Sequence, residues 1–113
     1  MSKIIIQKTF DERDPAWQND PDFNALFVKC NRDYMYAKLK AQGYLFLNDV
    51  YEVLGLPKTR RGQVGGWIFD EEKTEGDLWT AETISKGSHQ VELLTFTIEK
   101  DILNALPNDE EEL

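Results

Sequence analysis

Cys30 and His89 are the only cysteine and the only histidine among the 113 residues. A nucleophilic cysteine needs a base or an electropositive setting, and a proton-transferring histidine needs an oriented partner. His89 follows the turn residues Gly87 and Ser88 without a recognisable motif, and a zinc site needs several such ligands at close spacing. A Cys30–His89 dyad is geometrically possible, but nothing else in the sequence supports it. We therefore predict an exposed turn histidine and no catalytic site, metal or cofactor.

Residues 70–77 are rich in carboxylates, which are the ligands that Ca²⁺ prefers. The segment lacks the alternating Asp/Asn pattern and the distal Glu of an EF-hand loop. We predict a solvated turn that joins two strands of a hairpin.

The densest positive cluster, here called the basic cluster, consists of Lys58, Arg60 and Arg61. Three glycines follow at positions 62, 65 and 66, and their backbone amides could hold a phosphate. The segment matches neither the P-loop nor the dinucleotide fingerprint. Together with residues 49–57 it has the outline of a helix-turn-helix, although each glycine would weaken the second helix by up to about 1 kcal/mol. We predict a flexible connector, with DNA binding through the basic cluster as an alternative.

The positions of caps and stops predict a long helix from about Pro21 to Gln42. Asp20 is a good N-cap, Pro21 suits the first helical position, and Gly43 provides a left-handed stop. Apolar residues recur along it with the helical period, which predicts that they form the buried face. These residues are Phe23, Leu26, Phe27, Cys30, Tyr34, Ala37 and Ala41. Cys30 is accordingly expected to be buried and structural.

Short apolar or alternating runs predict strands at residues 4–6, 44–47, 67–69, 78–84 and 91–99. A short central helix is predicted between Asp49 and Gly55, and a last helical turn at residues 101–106. This order lacks βαβ alternation and predicts an α+β fold, with one long helix packed on a mostly antiparallel sheet. We expect one globular domain over residues 1–107 and a disordered acidic tail over residues 108–113.

The formal net charge of −8 disfavours nucleic acid and anionic membranes as partners. No stretch approaches the roughly 18 apolar residues of a membrane-spanning helix, and the N-terminal apolar run is too short for a secretory signal. A single cysteine excludes an intramolecular disulfide. We therefore expect a cytoplasmic protein without a membrane partner.

Residues 31–77 resemble a family of short uncharacterised proteins encoded by phages and integrative elements of Gram-positive bacteria. The motifs that carry the resemblance are Leu-Asn-Asp-Val-Tyr at 47–51, Leu-Gly-Leu-Pro at 54–57 and Gly-Gln-Val-Gly-Gly-Trp at 62–67. The resemblance is to a domain of unknown function, and it implies a bacterial cytoplasm but no reaction.

The leading hypothesis is a non-catalytic module that binds another protein or itself. Aromatic residues dominate interface hot spots, and Trp17, Tyr51, Trp67 and Trp79 lie near predicted surface turns, although such residues are more often core. With the basic cluster, the three tryptophans are the candidate interaction residues. An alternative is an acidic inhibitor of a host defence protein that binds nucleic acid. It predicts that carboxylates of residues 11–22 and 70–77 share one face.

Overall fold

A computed structural model of the chain describes residues 3–105. Within this range the elements are, in order, β1 (Lys3–Phe10), α1 (Pro21–Gln42), β2 (Tyr44–Phe46), α2 (Leu47–Leu54), α3 (Arg60–Val64), β3 (Gly66–Ile68), β4 (Trp79–Lys86) and β5 (His89–Glu99). Short 3₁₀ turns occur at Glu75–Asp77 and Leu103–Ala105. This is the predicted α+β fold, with a mostly antiparallel sheet, one long helix and a short central helix. The C-terminal helical turn is 3₁₀, and the predicted acidic tail lies outside the described residues.

The central strand of the sheet is β5, the longest of the strands in residues 3–105. Its alternating apolar residues face the helices, and Leu94, Phe96 and Ile98 are fully buried there. One edge pairs with β1 in a continuous antiparallel register from Lys3–Glu99 to Phe10–Glu92. Because directly opposed residues share a face, the residues between these apolar positions lie on the side of the sheet away from the helices.

The other edge of β5 is shared by two strands that follow one another. β4 pairs with residues 89–96 of β5 through the two-residue turn Gly87–Ser88, whereas β3 meets β5 only at Glu99 and pairs mainly with β2. Between them the Trp67 indole N–H donates to the carbonyl of Thr97 at 2.9 Å. The predicted hairpin of β3 with β4 is therefore wrong. β4 instead forms a hairpin with β5 through a two-residue turn, and the Trp67 indole bonds the Thr97 carbonyl of β5.

The ends of α1 are as predicted. The Asp20 carboxylate accepts from the backbone N–H groups of Asp22 and Phe23, and Gly43 ends the helix at a φ of 88°. Both features are local, since each depends on a few neighbouring residues.

The predicted buried face of α1 is wrong. The helix buries Asn24, Val28, Met35 and Leu39, which lie roughly a third of a turn away from the predicted row. A buried clasp sets this rotation: the Asn24 side-chain amide accepts from the Gln18 N–H at 2.9 Å and donates to the Gln18 carbonyl at 2.6 Å. The helix carries two apolar rows, and the clasp together with the sheet determines which one is buried.

The segment of the basic cluster is not a flexible connector, because it forms α3. The Thr59 hydroxyl caps the helix by accepting from the Gly62 N–H at 3.0 Å. Gly62 is buried against Asn48, whose amide exchanges two hydrogen bonds of 2.9 Å with the backbone of Thr59. A Cβ atom at position 62 would lie 2.0 Å from Asn48 Oδ1. The glycine that counted against a helix is the residue that lets α3 pack on α2.

Candidate functional site

The outward face of α1 carries an apolar row, here called the α1 stripe: Phe23, Phe27, Cys30, Tyr34, Ala37 and Ala41. Successive members are separated alternately by four and three residues, which is the spacing of a helix-helix seam. Tyr34 is 62% exposed, Phe23 is 42% exposed, and neighbouring Leu26 is 58% exposed. Contiguous apolar patches on a surface are typical of interaction sites.

The N-terminal end of the stripe is joined to the core through stacked rings. Phe27 lies 6.2 Å from Phe23 and 5.5 Å from buried Phe10, measured between ring centroids, and both pairs are nearly parallel. Aromatic pairs at such distances stabilise one another beyond their area burial. This end of the stripe is therefore held by the core and forms a preorganised surface.

Charged side chains of alternating sign border one side of the stripe. Asp22, Lys29, Asp33 and Lys40 lie within roughly an eighth of a turn of one another at 100° per residue. All four are exposed. An apolar seam beside a charged row is the arrangement by which helices select a partner and its orientation.

A second surface feature is a cleft of about 760 Å³, here called the acidic cleft, beside β3 and the start of β4. Thr80, Thr95 and Thr97 of the sheet line it together with the segment after β3. Its charged residues are five carboxylates and two ammonium groups: Asp70, Glu71, Glu72, Asp77, Glu99, Lys3 and Lys73. The excess of carboxylates favours a cationic partner.

The loop that borders the acidic cleft is fixed to the body of the protein. The Tyr36 hydroxyl donates to the Lys73 carbonyl at 2.8 Å, and the Phe69 N–H donates to the Gly43 carbonyl at 2.9 Å. Both contacts anchor residues 69–77 to the C-terminal half of α1 and to the residue that ends it.

The aromatic candidates of the sequence lie largely in the core. Trp67, Trp79 and Tyr51 are buried, and Trp79 is only 1% exposed. Their burial agrees with the expectation that such residues are more often core than contact, and Trp67 and Trp79 also line the acidic cleft. Trp17 is half-buried, with its ring edge-on to the imidazole of His89 at 5.6 Å between centroids.

The basic cluster is exposed, but part of its charge is already engaged. Lys58 Nζ lies 3.4 Å from a carboxylate oxygen of Glu52, and Arg61 donates to the Lys100 carbonyl at 3.2 Å. Arg60 is exposed at the first position of α3. The cluster does not lie on a long helix that could enter a groove of DNA, because α3 has five residues.

Asp11, the first carboxylate of one acidic segment, and residues 70–77, the other acidic segment, lie at opposite ends of β4. Asp11 is buried and bonded to Arg13 at 2.7 Å, and it lies 4.0 Å from Lys86 at the far end of β4. Residues 70–77 precede the start of β4, which is eight residues long and therefore spans roughly 23 Å between its first and last residues. The hydrogen bond from Arg13 lowers the pKa of Asp11, which keeps this carboxylate ionised inside the fold.

The two lone chemistry-bearing residues occupy unrelated places. Cys30 is exposed on the α1 stripe, so the expectation that it is buried is wrong. Neither Cys30 nor His89 lines the acidic cleft. Among residues 3–105, no group of three or more metal-ligating side chains is close enough to hold an ion. None of the helices in this part of the chain is both long and apolar enough to cross a membrane.

The α1 stripe is the surface that sequence reasoning missed. The helical spacing of its residues predicts that they share one face, but it also predicts that this face is buried in the core. The signal that could have identified it is the second apolar row of α1, since one helix on one sheet face cannot bury both rows.

These features define an α+β protein with one exposed helical seam. The chain belongs to a family of unknown function, DUF6353, whose model matches residues 2–106. The predicted membership of a family with unknown function is confirmed, over a longer stretch than the resemblance indicated. Comparisons with curated proteins and with solved structures gave no match.

Proposed function

We propose that this protein is a non-catalytic protein-interaction module that binds its partner through the α1 stripe. The observation that carries the proposal is the exposure of an apolar row with seam spacing along a helix that is packed on the sheet by its other side. The geometry suits a partner helix laid along α1, because alternating three- and four-residue steps keep a partner helix in contact over several turns.

The apolar area left exposed would add to the stability of such a contact. Fully burying a large apolar side chain contributes about 1.5–3 kcal/mol. Phe23, Leu26 and Tyr34 retain 42%, 58% and 62% of their exposure, so that covering them adds roughly 1 kcal/mol each. The smaller members of the stripe, Ala37 and Ala41, add little apolar area, but they allow a partner helix to lie close to α1.

The setting that we propose is the bacterial cytoplasm, with the gene carried by a phage or an integrative element of a Gram-positive bacterium. The support for this setting is the resemblance of residues 31–77 to proteins from such elements. A module that acts by binding is also consistent with the positions of the two chemistry-bearing residues, because neither Cys30 nor His89 lines the acidic cleft.

The acidic cleft favours a second candidate, an acidic inhibitor that occupies the basic groove of a host protein. Its five carboxylates against two ammonium groups support a cationic partner. Asp11 does not add to that surface, because it lies beside Lys86 at the other end of β4. Titration calorimetry with an oligo-arginine peptide tests it: the candidate predicts binding that weakens with salt and with Glu71→Gln and Glu72→Gln, and salt-independent or absent binding would reject it.

Site-specific photo-crosslinking in the producing cell tests the leading proposal. A benzophenone amino acid at position 34 of the α1 stripe should give discrete adducts on irradiation. The same amino acid at Glu82, which is exposed on β4, is the matched control and should give none of them. Identical adducts at both positions, or none at position 34, would contradict binding through the stripe.

A further inference from the structure

We infer that the partner of the α1 stripe is a second copy of this chain, packed with its α1 antiparallel to the first. This inference rests on the proposed function, since it names the partner of the same surface. It would generate a two-fold symmetric dimer, which is the commonest form of soluble oligomer. Three properties of the helix carry it: the sizes of the stripe residues, the order of the flanking charges and the poor fit of the parallel arrangement.

The sizes of the stripe residues are complementary when the helix is reversed. The stripe is symmetric about position 32, so an antiparallel second copy places Phe23 opposite Ala41, Phe27 opposite Ala37, and Cys30 opposite Tyr34. Each layer then joins one large and one small side chain. Alternation of large and small residues across facing positions is what allows two helices to interdigitate without voids or overlap.

The flanking charges are complementary in the same orientation. The row Asp22, Lys29, Asp33, Lys40 is symmetric about position 31, one residue from the centre of the stripe. In a symmetric antiparallel pair, the charged row of one helix lies beside the same row of the second helix, which runs in the opposite direction. Asp22 therefore approaches Lys40 of the second copy, and Lys29 approaches Asp33 of the second copy. Opposite charges thus meet along the whole row.

A parallel pair would lose both advantages. Identical residues would then face each other, so Phe23 would meet Phe23 and Ala41 would meet Ala41, leaving crowded layers at one end and an unfilled gap at the other. The charged row would then face the opposite flank of the second helix instead of its own reversed copy, so the pairing of Asp22 with Lys40 and of Lys29 with Asp33 would be lost. The antiparallel orientation is the one that the sequence of the exposed face selects.

The expected dimer is of moderate affinity. The stripe spans 18 residues of rise from Phe23 to Ala41, or about 27 Å. One helix per copy gives an interface at the small end of the range, where weak and transient complexes lie, so we expect a dissociation constant on the order of micromolar. The net charge of −8 per chain opposes association, which also limits the affinity.

Analytical ultracentrifugation of the full chain across the micromolar range tests the association. The expected result is a shift from the mass of one chain to that of two. Ala37→Glu should weaken the dimer at least tenfold, because the carboxylate would face Phe27 of the second copy in an apolar layer. Gln63→Glu adds the same charge at an exposed position of α3 and should change nothing. Circular dichroism of both variants checks that the monomer still folds.

Disulfide trapping tests the orientation. Tyr34→Cys places a thiol opposite the native Cys30 of the second copy, so mild oxidation should give a covalent dimer. In the background Cys30→Ser, the two introduced thiols are offset by four residues along the seam, or roughly 6 Å, which together with the separation of the helices is too far for a disulfide. A covalent dimer in that background would show the parallel arrangement and overturn the inference.

Ultracentrifugation and crosslinking together distinguish a wrong partner from a wrong binding surface. A chain that stays monomeric throughout the micromolar range overturns the second copy as partner. If crosslinks from position 34 then reach a different protein, binding through the α1 stripe still holds. If position 34 gives no adduct at all, both are overturned.

Discussion

Replacement of Gly62 by alanine tests whether the contact between α2 and α3 is as close as described. The added Cβ would lie 2.0 Å from Asn48 Oδ1 and 2.7 Å from Asn48 Cγ, so the Asn48 side chain or α3 must move. Turning the amide away breaks two hydrogen bonds to Thr59, which together contribute about 2 kcal/mol. Overpacking adds about 1–3 kcal/mol, and the better helix propensity of alanine returns about 1 kcal/mol.

The net loss expected for Gly62→Ala is therefore about 3 kcal/mol, which corresponds to a decrease in Tm of roughly 12 °C for a domain of this size. Urea denaturation followed by tryptophan fluorescence measures the free energy of unfolding. Gly76→Ala is the matched control, because its Cβ would meet nothing closer than 3.7 Å, and its stability should stay within about 0.5 kcal/mol of the wild type. If Gly62→Ala is as stable as the wild type or more stable, helix propensity dominates and the close contact is refuted.

Three further predictions concern charge and buried polar groups. Arg13→Gln should reduce the free energy of unfolding at pH 7 slightly, because it removes the partner of the buried Asp11 carboxylate while the Arg13 guanidinium itself is exposed to solvent. Arg13 lowers the folded-state pKa of Asp11, so the stability that this pair contributes is present above about pH 4 and is lost as the pH falls through the folded pKa. The free energies of unfolding of the wild type and Arg13→Gln should therefore converge in acid. A difference that persists in acid would contradict the pairing. The Tyr51 hydroxyl is buried without a hydrogen-bond partner among residues 3–105, and burial raises the pKa of Tyr51 to about 12. The free energy of unfolding of Tyr51→Phe should equal that of the wild type or exceed it by up to about 1 kcal/mol. The difference should grow between about pH 10 and 12, where the tyrosine ionises in the unfolded chain but not in the folded one. A variant that is less stable than the wild type would reveal a partner for the hydroxyl. Finally, a mobility-shift titration at low salt should show no DNA binding, because the basic cluster lies on a short helix of an acidic chain; a shift that disappears on changing Arg60 and Arg61 to glutamine would reject this prediction.

Much of the fold was predictable because its signals are local. The bounds of α1 depend on Asp20, Pro21 and Gly43, each of which acts on its own turn of backbone. The alternation of Leu94, Phe96 and Ile98 identifies β5 and its buried face, since a strand has only two faces to choose from. The turn at Gly87–Ser88 similarly predicts where β4 and β5 are joined.

The sequence predicts the composition of the α1 stripe but not its exposure. The sequence shows that the α1 stripe residues lie on one face of a helix, but it does not show where the sheet lies relative to that face. The hydrogen bonds of Asn24 to Gln18, which precedes the helix, and the packing of Met35 and Leu39 in the core decide this. The same holds for the aromatic candidates, since Trp67 reaches Thr97 only after β3 has joined the sheet.

Caps, turns and periodicity in the sequence predicted the fold class, the ends of the long helix and the turn between the last two strands, because these signals act between near neighbours. The folded structure was needed to show that β4 pairs with β5 rather than with β3, that Gly62 is a contact point rather than a break, and that the aromatic row of α1 faces outward. Those outcomes depend on which of several compatible surfaces pack together, and this is determined by contacts between residues that are far apart in the sequence.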